Sequence, residues 1–200
     1  MRIIATFTFS IACLFLMAQN ENGNTPDDKL PYYEIPEYPD FFSAETVAAR
    51  MIDGLGFRYY WATEGLRPED LAFKPNDEAR TTLQTVEHLF GLSRVVVNAT
   101  KQVSNTGGDR DTLTFEEMRA ATLSNLKTAS DLLKSGKITL EECKLIFDNP
   151  NGLSEFPFWN NINGPIADAL WHCGQVVSFR RSSGNPFNSK VSVFSGRVRS

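Results

Sequence analysis

The chain has 200 residues, 42% of them apolar, and a formal charge of −4 from 24 acidic and 20 basic side chains. That length holds one ordinary folded core, and the composition excludes a disordered or fibrous chain. The mildly acidic balance, spread without long runs, excludes the basic surface that usually meets nucleic acid.

Arg2 followed by the apolar run over 3–18 has the charged start and short greasy centre of a secretory signal peptide. The run is too short for a membrane span. Cleavage is expected near Ala18 or Gln19, leaving an exported protein, periplasmic or extracellular, with no transmembrane span once the leader is gone. Cys13 lies inside the apolar run without the usual lipobox leucine, so a lipoprotein is less favoured, as is an uncleaved anchor. Residues 19–42, rich in Asn, Asp, Pro and Tyr, read as an extended leader lying loosely along a folded domain at 43–200.

Ser43 is a plausible N-cap for a first helix, whose apolar stripe runs through Val47, Met51 and Leu55 towards Trp61. Gly54 and Gly56 weaken it. Arg67-Pro68-Glu69-Asp70 and Lys74-Pro75-Asn76-Asp77 supply turn chemistry. A second helix is expected over 81–102, with Thr85, His88, Leu89, Leu92, Val95, Val96 and Ala99 on its inward stripe. Within it, Asn98-Ala99-Thr100 has the form of a glycosylation acceptor but reads as a chance match. Thr114-Phe115-Glu116-Glu117 is a capping box opening a third helix, which buries Met118, Thr122, Ala129, Leu132 and Leu133 and stops at Ser135-Gly136.

The connection over 136–164 holds Cys143, Phe147, Phe156, Phe158 and Trp159, and is aromatic enough to pack over one end of the helices. A fourth helix is expected to start near Asn163-Gly164-Pro165 and to stop at Ser182-Ser183-Gly184-Asn185-Pro186. Arg180 and Arg181 fall in its last turn, where positive charge complements free carbonyls. The tail over 191–199 alternates enough to lie extended. These elements predict an all-α fold, a four-helix bundle with one long connection between helices three and four. In an oxidising compartment Cys143 and Cys173 can pair or stay separate, and the sequence leaves both open.

The chemistry concentrates in Asp168-Ala169-Leu170-Trp171-His172-Cys173-Gly174-Gln175. Asp168 and His172 are four residues apart, so on a helix they stack on one face and can aim at one point. The chain holds two histidines, which makes His88 the third candidate ligand. Asp168, His172 and Gln175 interrupt what should be an apolar stripe ending at Phe179. Coordination to a cation would offset the cost of placing a carboxylate there. Two imidazoles and a carboxylate suit a divalent transition metal such as Zn, Ni, Mn or Fe. Gln175 is placed to orient a bound water or to hold one of the ligands from behind, and Glu87 is a weak general-base candidate that leans outward. The plainer reading makes His88 a hydrogen-bonded core histidine and Asp168–His172 an ion pair capped by Gln175.

Over about 43–186, the motifs Thr85-Val86-Glu87-His88-Leu89 and His172-Cys173-Gly174-Gln175 resemble the DinB-like (DinB/YfiT) superfamily of four-helix-bundle metalloproteins. The resemblance implies a divalent-metal site built from one histidine of the second helix and an i, i+4 pair of the fourth. His88 and His172 match that pattern. Asp168 departs from it, since many members carry histidine there. It also implies an enzyme acting on a small molecule, either a metal-dependent hydrolase or a thiol-dependent transferase or isomerase. The expected export favours hydrolysis over use of a cytosolic thiol. A non-catalytic helical binding module is the competing class, with the polar cluster structural and the aromatic segment near Phe156–Trp159 meeting a partner. Apolar helix stripes leave a homodimer open.

Overall fold

The computed structural model describes residues 30–106 and 113–200. The signal peptide expected over 1–18 and the first part of the leader lie outside the described residues. In chain order the elements are α1 (Ala44–Thr63), α2 (Pro68–Ala72), α3 (Thr82–Lys101), β1 (Asn105–Thr106), α4 (Phe115–Lys134), β2 (Leu145–Asn149) and β3 (Gly152–Phe156). They are followed by α5 (Phe158–Asn161), a π-helical turn (Ile162–Ile166), α6 (Ala167–Ser182), β4 (Val191–Ser192) and β5 (Arg197–Val198). The protein is mostly helical with little sheet, as an all-α class requires. Helices α1 and α3 each pack on both α4 and α6.

Three of the long helices start with reciprocal caps that satisfy otherwise free backbone N–H groups. Ser43 Oγ accepts the Thr46 N–H at 3.2 Å while Thr46 Oγ1 accepts the Ser43 N–H at 2.8 Å. Thr81 and Gln84 make the same exchange, as do Thr114 and Glu117. Between the helices Ile52, Leu55, Leu89, Leu123, Leu126 and Leu133 are fully enclosed. Each such side chain contributes about 1.5–3 kcal/mol of hydrophobic stabilisation.

The buried face of α1 differs from the expected one. Val47 and Met51 are exposed, and the core side is Ala48, Ala49, Ile52, Leu55, Gly56 and Tyr59. Small residues on that face let neighbouring backbone and rings come close, which a stripe chosen by side-chain size misses. Gly56 shows why: a Cβ there would lie 2.4 Å from the Tyr32 ring. Tyr32 belongs to the expected loose leader, yet it is buried, and its hydroxyl donates to Asp53 Oδ1 at 3.0 Å. Lys134 Nζ donates to the other Asp53 oxygen at 3.0 Å. Trp61 Nε1 donates to the Tyr33 carbonyl, Arg50 to that of Pro36, and the Ile35 N–H to that of Gly196. The described leader is therefore clamped to α1 and to the C-terminal tail. That tail is a short antiparallel hairpin, β4 with β5, whose Val191 packs with Ile35, Phe57 and Trp61.

The long connection is a β2–β3 hairpin whose first strand also pairs in parallel with β1. It anchors on the helices through buried Cys143, Leu145 and Phe158. Cys143 and Cys173 are both buried free thiols.

The fourth long helical run begins earlier than expected, at Phe158 rather than near Asn163. Pro165 does not open it. The proline sits within the π turn, where the Ala167 N–H reaches the Ile162 carbonyl five residues back, a local widening that accommodates a ring unable to donate. Downstream, the buried stripe of α6 is Ala169, Cys173, Val176 and Arg180. Arg180 does more than complement its own helix end. Its guanidinium, buried between elements, donates to the Trp61 and Ala62 carbonyls at the C-terminus of α1, both at 3.0 Å, and to Asn185.

Candidate metal centre

Helix α3 presents His88 on the side that faces α6, and α6 presents Asp168 and His172 one turn apart. His88 Nε2 lies 3.1 Å from Asp168 Oδ2, and His172 Nε2 lies 3.3 Å from Asp168 Oδ1. One donor atom from each of the three residues falls within 4.8 Å of the other two. The imidazole rings meet edge to face, with centroids 4.7 Å apart and planes at 89°. The three side chains thus converge, as the spacing predicts, and are close enough to hold a metal ion.

Donor spacing tests whether the group fits such an ion. Ligand atoms about 2.1 Å from a tetrahedral or octahedral centre stand about 3.0–3.4 Å apart along its edges. The two distances to Asp168 lie in that interval, one to each carboxylate oxygen, and the remaining donor pair is within 4.8 Å. The donor set, two imidazole nitrogens and a carboxylate, is that of borderline divalent metals.

Burial corrects one part of the expectation. The side chains of His88, Asp168 and His172 are 34%, 42% and 14% exposed, so the carboxylate is at the surface of a seam and not in the core. Asp168, His172, Gln175 and Phe179 line the flank of α6 next to its buried stripe. Desolvation of Asp168 is therefore modest, and it is the convergence of donors that favours a cation.

Of the two expected roles for Gln175, the contacts correspond to holding a ligand from behind. Its Oε1 stands 2.6 Å from His172 Nδ1 and, as an amide oxygen, can only accept a hydrogen bond there; a neutral ring that donates through Nδ1–H keeps its Nε2 lone pair for the site. Phe179 ends the seam against Phe73, ring centroids 5.9 Å apart. In the sequence Phe73 carries no signal beyond being an aromatic residue just ahead of the Lys74-Pro75 turn. Glu87 is exposed and stays outside the group. Trp171, next to His172, is 72% exposed on the outward face of α6.

Comparison with family models, curated proteins and solved structures returns no match for this chain. Among the described residues, no helix is long and apolar enough to cross a membrane.

Proposed function

We propose that this chain is an exported four-helix-bundle metalloprotein of the DinB-like kind, a metal-dependent hydrolase whose divalent ion is held by His88, Asp168 and His172. The observation that carries the reading is the pair of contacts from two imidazole Nε2 atoms, on two different helices, to the two oxygens of one carboxylate. The resemblance of the His88 and His172 motifs to that superfamily supports it, and the signal-like composition of 1–18 supports export. Zn, Ni, Mn and Fe all suit the donor set.

When bound, such an ion supplies a Lewis acid and an acidified water for attack on a carbonyl or phosphoryl group. The chain's own side chains do the rest. Gln175 holds the ring of His172 in one orientation and one tautomer. Asp168 would ligate beside the two imidazoles, so that the ion would tie α3 to α6. The partial exposure of His88 and Asp168 leaves the cluster open to solvent, the side from which a small-molecule substrate would approach.

A metal-free cluster is the second reading, because 3.1 Å is also hydrogen-bond range for the His88–Asp168 pair. Metal analysis of the untagged protein separates the two. We expect close to one divalent ion per chain after reconstitution, and none in Asp168→Ala, whose far-UV circular dichroism should remain helical. Substoichiometric metal that does not rise on addition of any of the four ions would sink the proposal. Unfolding of Asp168→Ala would mark the carboxylate as a structural ion-pair member.

A further inference from the structure

A concave site that shares no residue with the metal centre lies where the β2–β3 hairpin meets the N-terminus of α1. It encloses about 400 Å³. That is within the range of small-molecule sites, about 300–1,000 Å³. Its walls are mostly apolar, formed by Leu140, Phe156, Pro157, Phe158 and Trp159 with Ala44 beneath. Phe158 is buried, whereas Trp159 is 72% exposed and lines the cleft from its solvent side.

The polar part of the lining is Glu141, Lys144 and Glu155. Lys144 Nζ is 2.9 Å from Glu155 Oε2, so those two charges cancel. The Glu141 carboxylate is left over, and the lining carries one net negative charge beside three aromatic rings. The α1 N-terminus nearby attracts anions less than a bare helix end would, because Ser43 caps it and Glu45 occupies its first turn.

Aromatic faces and a carboxylate together attract a poorly hydrated cation through the ring quadrupoles and the charge. We propose that this cleft binds a hydrophobic organic cation of the quaternary ammonium class, with Trp159 stacking on it and Glu141 supplying the counter-charge. A quaternary nitrogen has no lone pair and cannot ligate a metal. Benzyltrimethylammonium, which has no other donor atom, therefore reads this site independently of the metal centre.

The experiment is an NMR titration of the full chain with benzyltrimethylammonium, and with choline against its neutral isostere 3,3-dimethylbutan-1-ol. Shifts should map to Leu140, Lys144, Phe156 and the Trp159 indole. Choline should bind about tenfold more tightly than the alcohol, the scale of a cation–π contribution. Trp159→Ala should weaken benzyltrimethylammonium about tenfold or more, and Glu141→Gln severalfold, in protein whose circular dichroism and metal content are unchanged. Equal affinity for choline and the alcohol, tighter binding of phenylacetate than of benzyltrimethylammonium, shifts centred elsewhere, or no saturable binding would each overturn the proposal.

Discussion

At the scale of single residues, the bond between Gln175 and His172 decides which imidazole nitrogen faces Asp168. Hydrogen-bond partners of metal-ligating histidines typically change affinity by about 10–100-fold when removed. Gln175→Leu should lower metal affinity on that scale, read by competition with a chromophoric chelator, while Gln175→Glu, which keeps an acceptor at the same distance, should retain most of it. Equal losses in both variants would show that Oε1 does not hold the ring. Gly56 makes a different single-residue point, because its missing Cβ leaves room for the Tyr32 ring. Gly56→Ala should destabilise the protein by about 1–3 kcal/mol through overpacking. In a Tyr32→Ala background the same substitution should stabilise by about 1 kcal/mol, since alanine favours helix over glycine. Urea denaturation of the four proteins in the cycle tests that reversal of sign.

At the scale of elements, Arg180 fastens the end of α6 to the end of α1. The Trp61 and Ala62 carbonyls have no later turn of α1 to supply donors, and the guanidinium provides two N–H groups to them. Arg180→Met keeps the apolar stem but strands those carbonyls, at a cost on the order of 3 kcal/mol. Arg180→Lys should recover only part of it, because one ammonium cannot match the guanidinium fork that also reaches Asn185. Thermal melts of the two variants check the order. The same helix shows how far the sequence can be read. The line Asp168, His172, Gln175 follows from the three-to-four-residue period alone, and the structure brings its first two members to His88. The core line, Ala169, Cys173, Val176 and Arg180, contains an alanine and a charged residue, so hydropathy gives it little weight. Glycine and proline at 164 and 165 have the chemistry of a helix start, and only the π turn lets the helix run through them. The capping box at Thr114–Glu117 was legible because both partners lie within four residues of each other. Tyr32 on Gly56 was not, because that contact joins segments distant in sequence.

At the scale of the whole molecule, stability should report on groups that folding buries. Burial pushes the Cys143 thiol up to about 11 and the Cys173 thiol up to about 12. Thiolate is the reactive form, so at pH 8 iodoacetamide should leave both unmodified in the native protein and label both in denaturant, as peptide mass spectrometry would show. Rapid labelling of Cys173 without denaturant would mean that α6 opens locally. Asp70 gives the matching dependence on acid. Arg67 makes the largest contribution to holding its carboxyl well below the usual carboxylate range, with Ser183 and Asn185 donating to the same group. An unfolded aspartate titrates near pH 4, about 3.9. Above that value both states are ionised, and the stabilisation from this network is fully present. As pH falls below it, the unfolded chain binds a proton that the native carboxylate still resists, so the contribution declines towards the low native value. Asp70→Asn should therefore be less stable than wild type at pH 7, with a gap that narrows as the pH is lowered from 4 to 2. Other carboxylates also titrate in this range, but they do so in both proteins and cancel from the difference in urea midpoints. A gap that stays constant across that range would show that Asp70 contributes by packing and hydrogen-bond geometry, with no net contribution from its charge.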